Sequence, residues 1–258
     1  MKASTTGKKQ RVASERIIMG RNCLREVLHH APERLETIYI AEHDRGQLKD
    51  CDDILGRIEK LHIKVEMIPR DKMCALTSSD AHQSFAARLK PRPPLDYKAL
   101  LLEKQDAPHS LLLFLDGIQD PHNFGTILRA AECFGADAVI WSQNRGAALT
   151  PAVSKASVGA SELVPLVAVS NLVTALKKCQ AAGFWVVVAD AAPDAQTISE
   201  FQFPEKTALV VGSEGQGVAS LVKQIADFTL KIPMLGHISS LNVSQATTLL
   251  LWEYRRSY

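Results

Sequence analysis

Residues 110–136 read SLLLFLDGIQDPHNFGTILRAAECFGA. Leu111 to Leu115 is an unbroken apolar run of the length expected for a strand buried on both faces. A short polar loop follows. Phe124, Ile127, Leu128, Ala131 and Phe134 then recur at three- and four-residue spacing, which makes one face of a helix. Further along, strand patterns occur at Ala138–Trp141, Phe184–Ala189, Thr207–Val211 and Phe228–Ile232, and helical patterns near Val218–Ala226 and Val243–Arg255. Thr150 before Pro151 reads as a helix N-cap, and Asn171 caps a helix that stops at Gly183. Strands alternating with helices of this length predict an α/β fold with a mainly parallel sheet and helices on both faces.

Upstream the elements are shorter. Ile38–Ala41, Lys64–Ile68 and Ser84–Leu89 read as strands, and Gln47–Leu61 as a helix whose apolar face is Leu48, Cys51, Ile54, Leu55, Ile58 and Leu61. Pro91, Pro93 and Pro94 then remove amide donors and interrupt any ladder. The expected organisation is a basic, disordered tail over 1–16, a small N-terminal α/β domain over 17–90, a linker over 91–108 and a larger domain over 109–258.

The 258 residues are 46% hydrophobic and 22% charged, enough chain for one or two packed cores. Net charge is only +2, but residues 1–16 alone carry +4, so the positive excess lies in the tail. No apolar run approaches the roughly 18 residues of a membrane span, and the tail lacks the apolar segment of a signal peptide. Five cysteines with no CxxC spacing argue against a disulfide framework and against a zinc site, so no metal is expected. They point to a reducing, cytoplasmic setting in which the thiols fill core space.

Ligands of open parallel sheets bind beyond the carboxyl ends of the strands. Three segments there are unusually polar or glycine-rich: Asp116–Arg129 (DGIQDPHNFGTILR), Gly212–Gly217 (GSEGQG) and Pro233–Asn242 (PMLGHISSLN). The glycines follow GxxGxG, not the GxGxxG of a dinucleotide turn, which disfavours a nicotinamide-dependent oxidoreductase; a tight structural turn is the plainer alternative to a ligand loop.

In their order, DPHNFGTILRAAECFGADAV, LVVGSEGQGV and IPMLGHISSLNVSQAT resemble the three signature motifs of the SpoU branch of the SPOUT RNA methyltransferases. IMGRNCLREVL and HQSFAARLKP are similar to the RNA-binding N-terminal domain of the bacterial 23S ribosomal RNA guanosine 2′-O-methyltransferases; Ser84 stands where glycine is usual there, and Gln245 where a small apolar residue is common. The resemblance implies a trefoil knot in the C-terminal domain, pairing of two chains through that domain, and S-adenosylmethionine as cofactor. It assigns the cofactor to Gly212, Ile232 and Leu241 with Met234 and Ser240 close by, and the chemistry to Asn123, Arg129, Glu214, Ser240 and Asn242. The implied substrate is 23S ribosomal RNA, with transfer RNA as the alternative and an inactive RNA-binding homologue behind both.

Each assignment has a plainer counterpart. Ile232 and Leu241 are residue types of ordinary core, Asn123 and Asn242 are good helix caps, Ser240 suits a local turn, and Arg129 could pair with Glu132 on a helix surface. A free guanidinium does not deprotonate a hydroxyl at neutral pH, so Arg129 is expected to bind phosphate and stabilise alkoxide character, with the proton leaving through the phosphate or the Ser240 hydroxyl and Glu214 orienting Arg129 or the loop amides. Arg129 lies six residues after Asn123, close enough for both to flank one opening. His122 and His237 are read as turn and solvent residues, and Arg145, Lys155, Arg255 and Arg256 as candidate phosphate contacts.

Overall fold

The computed structural model describes residues 15–42 and 50–258. The first unit contains β1 (Arg16–Met19), α1 (Arg21–His30), β2 (Leu35–Ala41), α2 (Asp52–Lys60), β3 (Lys64–Ile68), α3 (Arg70–Thr77) and β4 (Phe85–Leu89). Its sheet runs β1-β4-β2-β3, with β4 antiparallel to both of its neighbours. Successive side chains of β2 point to opposite faces. Ile38 and Ile40 meet Leu24 and Val27 of α1 and Ile54 of α2, whereas Tyr39 and Ala41 meet Met73 of α3. The helix expected at Gln47–Leu61 is α2; residues 47–49 lie outside the described residues, as do residues 1–14 of the expected tail. Arg16, counted with that tail, instead opens β1.

The second unit contains α4 (Tyr97–Glu103), β5 (Ser110–Asp116), α5 (Pro121–Cys133), β6 (Ala138–Ser142), α6 (Pro151–Ala156), β7 (Leu166–Val169), α7 (Leu172–Ala181), β8 (Trp185–Ala189), β9 (Gln196–Thr197), β10 (Lys206–Gly212), α8 (Ser220–Lys223), β11 (Phe228–Lys231) and α9 (Val243–Ser257). Seven strands run in the order β7-β6-β5-β10-β8-β11-β9, every pairing parallel. The apolar run at β5 serves two cores: Leu111, Leu113 and Leu115 pack with Phe124 and Ile127 of α5 and Leu250 of α9, while Leu112 and Phe114 pack with Leu176 of α7 and Leu100 of α4. The stretch expected to be a linker thus contains a helix, capped by Asp96, whose Oδ1 accepts from Lys98 N at 2.7 Å. The helix expected at Val218–Ala226 shortens to α8, because the amides of Ile225 and Ala226 reach only three residues back, to Val222 O and Lys223 O. Cys23, Cys51 and Cys179 are buried, and burial pushes the Cys23 and Cys179 thiols up to about 12; Cys133, by contrast, is exposed.

The two units are joined along the connection from β6 to β7. Glu162, its side chain 3% exposed, accepts from Arg16 Nε and from Arg34 Nη1 of the first unit, each at 2.8 Å. Met19 N donates to Ser154 Oγ at 3.2 Å, and Arg92 Nη1 to Val164 O at 3.0 Å. Gly159 adopts φ +89°, and a Cβ there would stand 3.0 Å from Cys23 O, so only glycine lets the units close to this distance.

Burial alone pushes the Glu162 carboxyl up, but the two guanidiniums together outweigh it and hold the group below its ordinary value. A lowered carboxyl contributes stability that is full above the unfolded-state value, near 4.3, and is lost as pH falls through the folded value. Glu162→Gln removes the charge between two largely buried arginines and is expected to cost about 3 kcal/mol at pH 7. Calorimetry should show that deficit shrinking below about pH 4; a deficit constant from pH 7 to pH 3 would exclude this origin.

Candidate functional site

β5 and β10 are neighbours in register, with Asp116 opposite Gly212, so the loops that leave their carboxyl ends start side by side. Asp116 Oδ2 accepts from Ala219 N at 2.8 Å and ties the second loop to the first. The N-cap of α5 is Asp120, whose Oδ2 accepts from Asn123 N at 2.8 Å, and Pro121 occupies the first helical position. The cap reading of Asn123 is therefore corrected. With Asp120 in that role, the buried Asn123 side chain is released toward the third loop, where its Oδ1 accepts from Asn242 Nδ2 at 3.0 Å.

Asn242 does cap α9. Its Oδ1 accepts from Ser244 N at 2.9 Å and Ser244 Oγ at 2.6 Å. A side-chain oxygen committed to a backbone N–H fixes which end of the amide is the donor. Nδ2 consequently bonds both Asn123 Oδ1 and Glu214 Oε1, and one side chain draws together residues from all three loops. Glu214 contacts Asn242, not Arg129.

The glycine-rich loop is folded back on itself. Gly217 N donates to Ser213 O at 2.9 Å, Gly215 and Gly217 adopt φ +81° and +65°, and a Cβ on Gly212 would fall 2.1 Å from the carbonyl carbon of Gly217. The tight-turn reading of these glycines holds, and the turn forms the wall of a cleft. A cavity of about 690 Å³ beside it is lined by Gly212, Ile232, Met234, Ser240 and Leu241, which are all five residues expected to hold the cofactor, together with Glu214 and Asn242. Leu241 is 37% exposed, whereas Ile232 is half-buried and packs against the core of the larger sheet while also lining the cavity. The same cavity takes in Asp190, paired with Lys223. Sequence reasoning missed Asp190 although it directly follows the apolar run of β8, the position at which the strand-end rule looks for ligands.

A second cavity, of about 390 Å³, lies across the 213–217 turn and is lined by Asn123 and Glu214 with Asp116, Asp120, Gln119 and Arg145. Arg129 lines neither cavity. Six residues turn a helix through about 600°, which leaves Arg129 pointing about 120° away from Asn123. It is exposed, with no side-chain hydrogen bond or ion pair among the described residues, and so pairs with neither Glu132 nor Glu214. His122 and His237 are exposed and outside both cavities. Arg255, expected as a phosphate contact, instead donates through Nε to Phe134 O at 2.6 Å and closes the end of α5, while Arg256 pairs with Glu253. Among the described residues no cluster of His, Cys, Asp and Glu could hold a metal ion.

Asn242→Asp is isosteric and keeps the cap, but sets an acceptor oxygen against Asn123 Oδ1 and the Glu214 carboxylate. It is expected to destabilise the fold by about 1–3 kcal/mol at pH 7, with faster hydrogen exchange at Gly217 N. Unchanged urea unfolding and exchange would show that the bridge contributes nothing.

Residues 110–252 match the SpoU rRNA methylase family, and residues 17–95 match the domain described as RNA 2′-O ribose methyltransferase substrate binding. A protein of Staphylococcus haemolyticus named for the TrmH family of tRNA/rRNA methyltransferases is 36% identical over 244 residues, covering 94% of this chain and 96% of its own. The structure of an RNA methyltransferase of the TrmH family from Porphyromonas gingivalis aligns with a TM-score of 0.72 at 26% identity, over 95% of this chain and 90% of that one. The SpoU methyltransferase AviRb from Streptomyces viridochromogenes, solved in complex with AdoMet, shares the fold at a TM-score of 0.74 and 22% identity, with the same coverage. Matched across its larger sheet and aligned nearly end to end with such a relative, the chain belongs to the SpoU rRNA methylase family and is an RNA methyltransferase.

Proposed function

We propose that this methyltransferase modifies the ribose 2′-hydroxyl of a guanosine in 23S ribosomal RNA, using S-adenosylmethionine. The observation that carries this reading is the pair of cavities separated by one turn, with Glu214 in the wall common to both. The larger cavity fits the cofactor: Ile232 and Leu241 offer apolar walls for an adenine, and the backbone of the Gly212–Gly217 turn beside it can read its edge. When bound there, S-adenosylmethionine supplies an electrophilic methyl group on a sulfonium. Transfer makes the bond from the ribose oxygen to the methyl carbon and breaks the carbon–sulfur bond, whose electron pair stays on sulfur; the hydroxyl proton must leave. We assign that proton to Glu214, a residue that lines both cavities and whose Oε1 accepts from Asn242 Nδ2; this supports the role. Asn123 and Asn242 hold the wall in place, and Ser240 lies along the cofactor side.

The matched substrate-binding domain supports ribose as the acceptor, with residues 17–90 as the RNA-binding domain and 109–258 as the knotted methyltransferase domain. Arg129 enters the reaction across a chain–chain contact. It stands exposed on α5, which packs on α9, and α9 also exposes Leu249 and Trp252, an apolar face suited to a homodimer. There Arg129 would bind substrate phosphate. The relative's family name covers both tRNA and rRNA, which keeps transfer RNA as the second substrate. No helix among the described residues is long and apolar enough to cross a membrane, which is consistent with work on RNA in the cytoplasm.

Mapping 2′-O-methylation in cells with and without the gene should show loss at one guanosine of 23S rRNA; loss in a transfer RNA selects the alternative, and an unchanged map overturns the reading. Residues 1–14 carry four basic residues and no acid, whereas the catalytic half holds 10 basic against 12 acidic residues. Deleting 1–14 should weaken RNA binding and flatten its salt dependence by up to about three units of log–log slope, at about 0.7 per neutralised phosphate of single-stranded RNA; an unchanged slope would show that the tail is incidental.

A further inference from the structure

The smaller cavity opens between the loops that follow β5, β6 and β10, and its volume of about 390 Å³ lies within the range of small-ligand sites. We propose that it receives the acceptor nucleotide, with Arg145 holding a phosphate beside the reacting ribose; this rests on the methyl-transfer reading above.

Position is the first argument. Ser213, Glu214, Gln216, Gly217 and Val243 line both cavities, so groups placed in the two meet across a single turn. In-line transfer brings the reacting atoms to about 3–3.5 Å, and only an acceptor standing at this partition comes that close to the larger cavity.

The lining supplies the second argument. Asp116 and Asp120 each engage one carboxylate oxygen with a backbone amide, Ala219 N and Asn123 N, and leave the other to accept from N–H or O–H groups of a ligand. Arg145 is the one cationic side chain in the lining. It is exposed and, among the described residues, its guanidinium has no hydrogen bond or ion pair; only its backbone N is engaged, with Ser142 O. Two carboxylates repel a free phosphate. A nucleotide divides the charges, setting its phosphate at Arg145 and its base and ribose donors at Asp116 and Asp120.

Continuity is the third. The loop that carries Arg145 is pinned: Ala147 N donates to Ile118 O at 2.8 Å, and a Cβ on Gly146 would come within 2.9 Å of Ser142 O. The same connection runs on through α6 to Glu162, where Arg16 and Arg34 fasten the first unit. RNA held by that unit is therefore led toward the loop that presents Arg145.

The test uses the full-length protein saturated with S-adenosylhomocysteine, with the four nucleoside 5′-monophosphates and inorganic phosphate as probes, read by amide chemical shifts and titration. At least one monophosphate should shift Asn123, Gly217 and Ala219 amides, bind at least tenfold more weakly to Arg145→Ala and recover in part with Arg145→Lys, while S-adenosylmethionine affinity stays within twofold. In parallel, methyl transfer to transcribed 23S rRNA and tRNA should lose at least tenfold in kcat/KM for RNA in Arg145→Ala, mainly through KM. Monophosphate binding that ignores Arg145, shifts confined to other surfaces, or inorganic phosphate acting equally well would each overturn the proposal. Wild-type protein that binds monophosphates through Arg145 but transfers no methyl group to either RNA would instead overturn the proposed substrate and leave the pocket standing.

Discussion

The site hangs on how one primary amide is oriented. Asn242 commits its oxygen to the start of α9, which obliges its nitrogen to face Asn123 and Glu214. A carboxylate in that position could cap the helix but could not bridge two acceptors, and a hydrophobic residue could do neither. Three loops from distant parts of the chain thereby share one set of hydrogen bonds, and the wall between the two cavities is positioned by helix capping as much as by its own turn.

Backbone proximity sets a second constraint. β10 ends where Gly212 meets the returning Gly217 at a distance that excludes any side chain. The turn can stand that close to the strand only because Gly215 and Gly217 take left-handed conformations at little steric cost. The interface between the units follows the same logic at larger scale, with Gly159 permitting contact and the Glu162 carboxylate selecting one orientation. A buried ion pair of this kind costs much of its attraction in desolvation, so its value lies more in choosing a geometry than in adding stability.

The larger sheet was legible in the sequence because parallel strands buried on both faces are written as plain apolar runs, and Leu111–Leu115 could be little else. Thr150 and Asn171 announced their helices through local capping chemistry, and each accepts the expected backbone hydrogen bond. β1 and α3 were not legible: neither carries a clear apolar periodicity of its own, and they depend on the pairing of β1 with β4 and the packing of α3 against β1 and β2. Among the candidate site residues, the five expected around the cofactor fall on one cavity because they belong to loops leaving β10 and β11, the two neighbours of β8. Arg129 did not follow Asn123, since neighbours in sequence on a helix diverge by rotation. Arg255 and Arg256 looked free only because their partners, a helix end at Phe134 and the carboxylate of Glu253, are matters of three-dimensional arrangement.

The strand order also bears on how the chain reaches this state. β5 pairs with β6 on one side, but its other neighbour is β10, which begins at Lys206, far downstream of Ser110. During synthesis this buried, largely apolar strand therefore waits with one bare edge while the intervening helices and strands emerge. Long-range parallel pairing of this kind is slow to form, and an uncovered apolar edge is open to pairing with other chains in the meantime. The arrangement that places Asp116 beside Gly212 thus makes the nascent chain dependent on timely completion of its last third, and links the geometry of the site to the risk of aggregation before it exists.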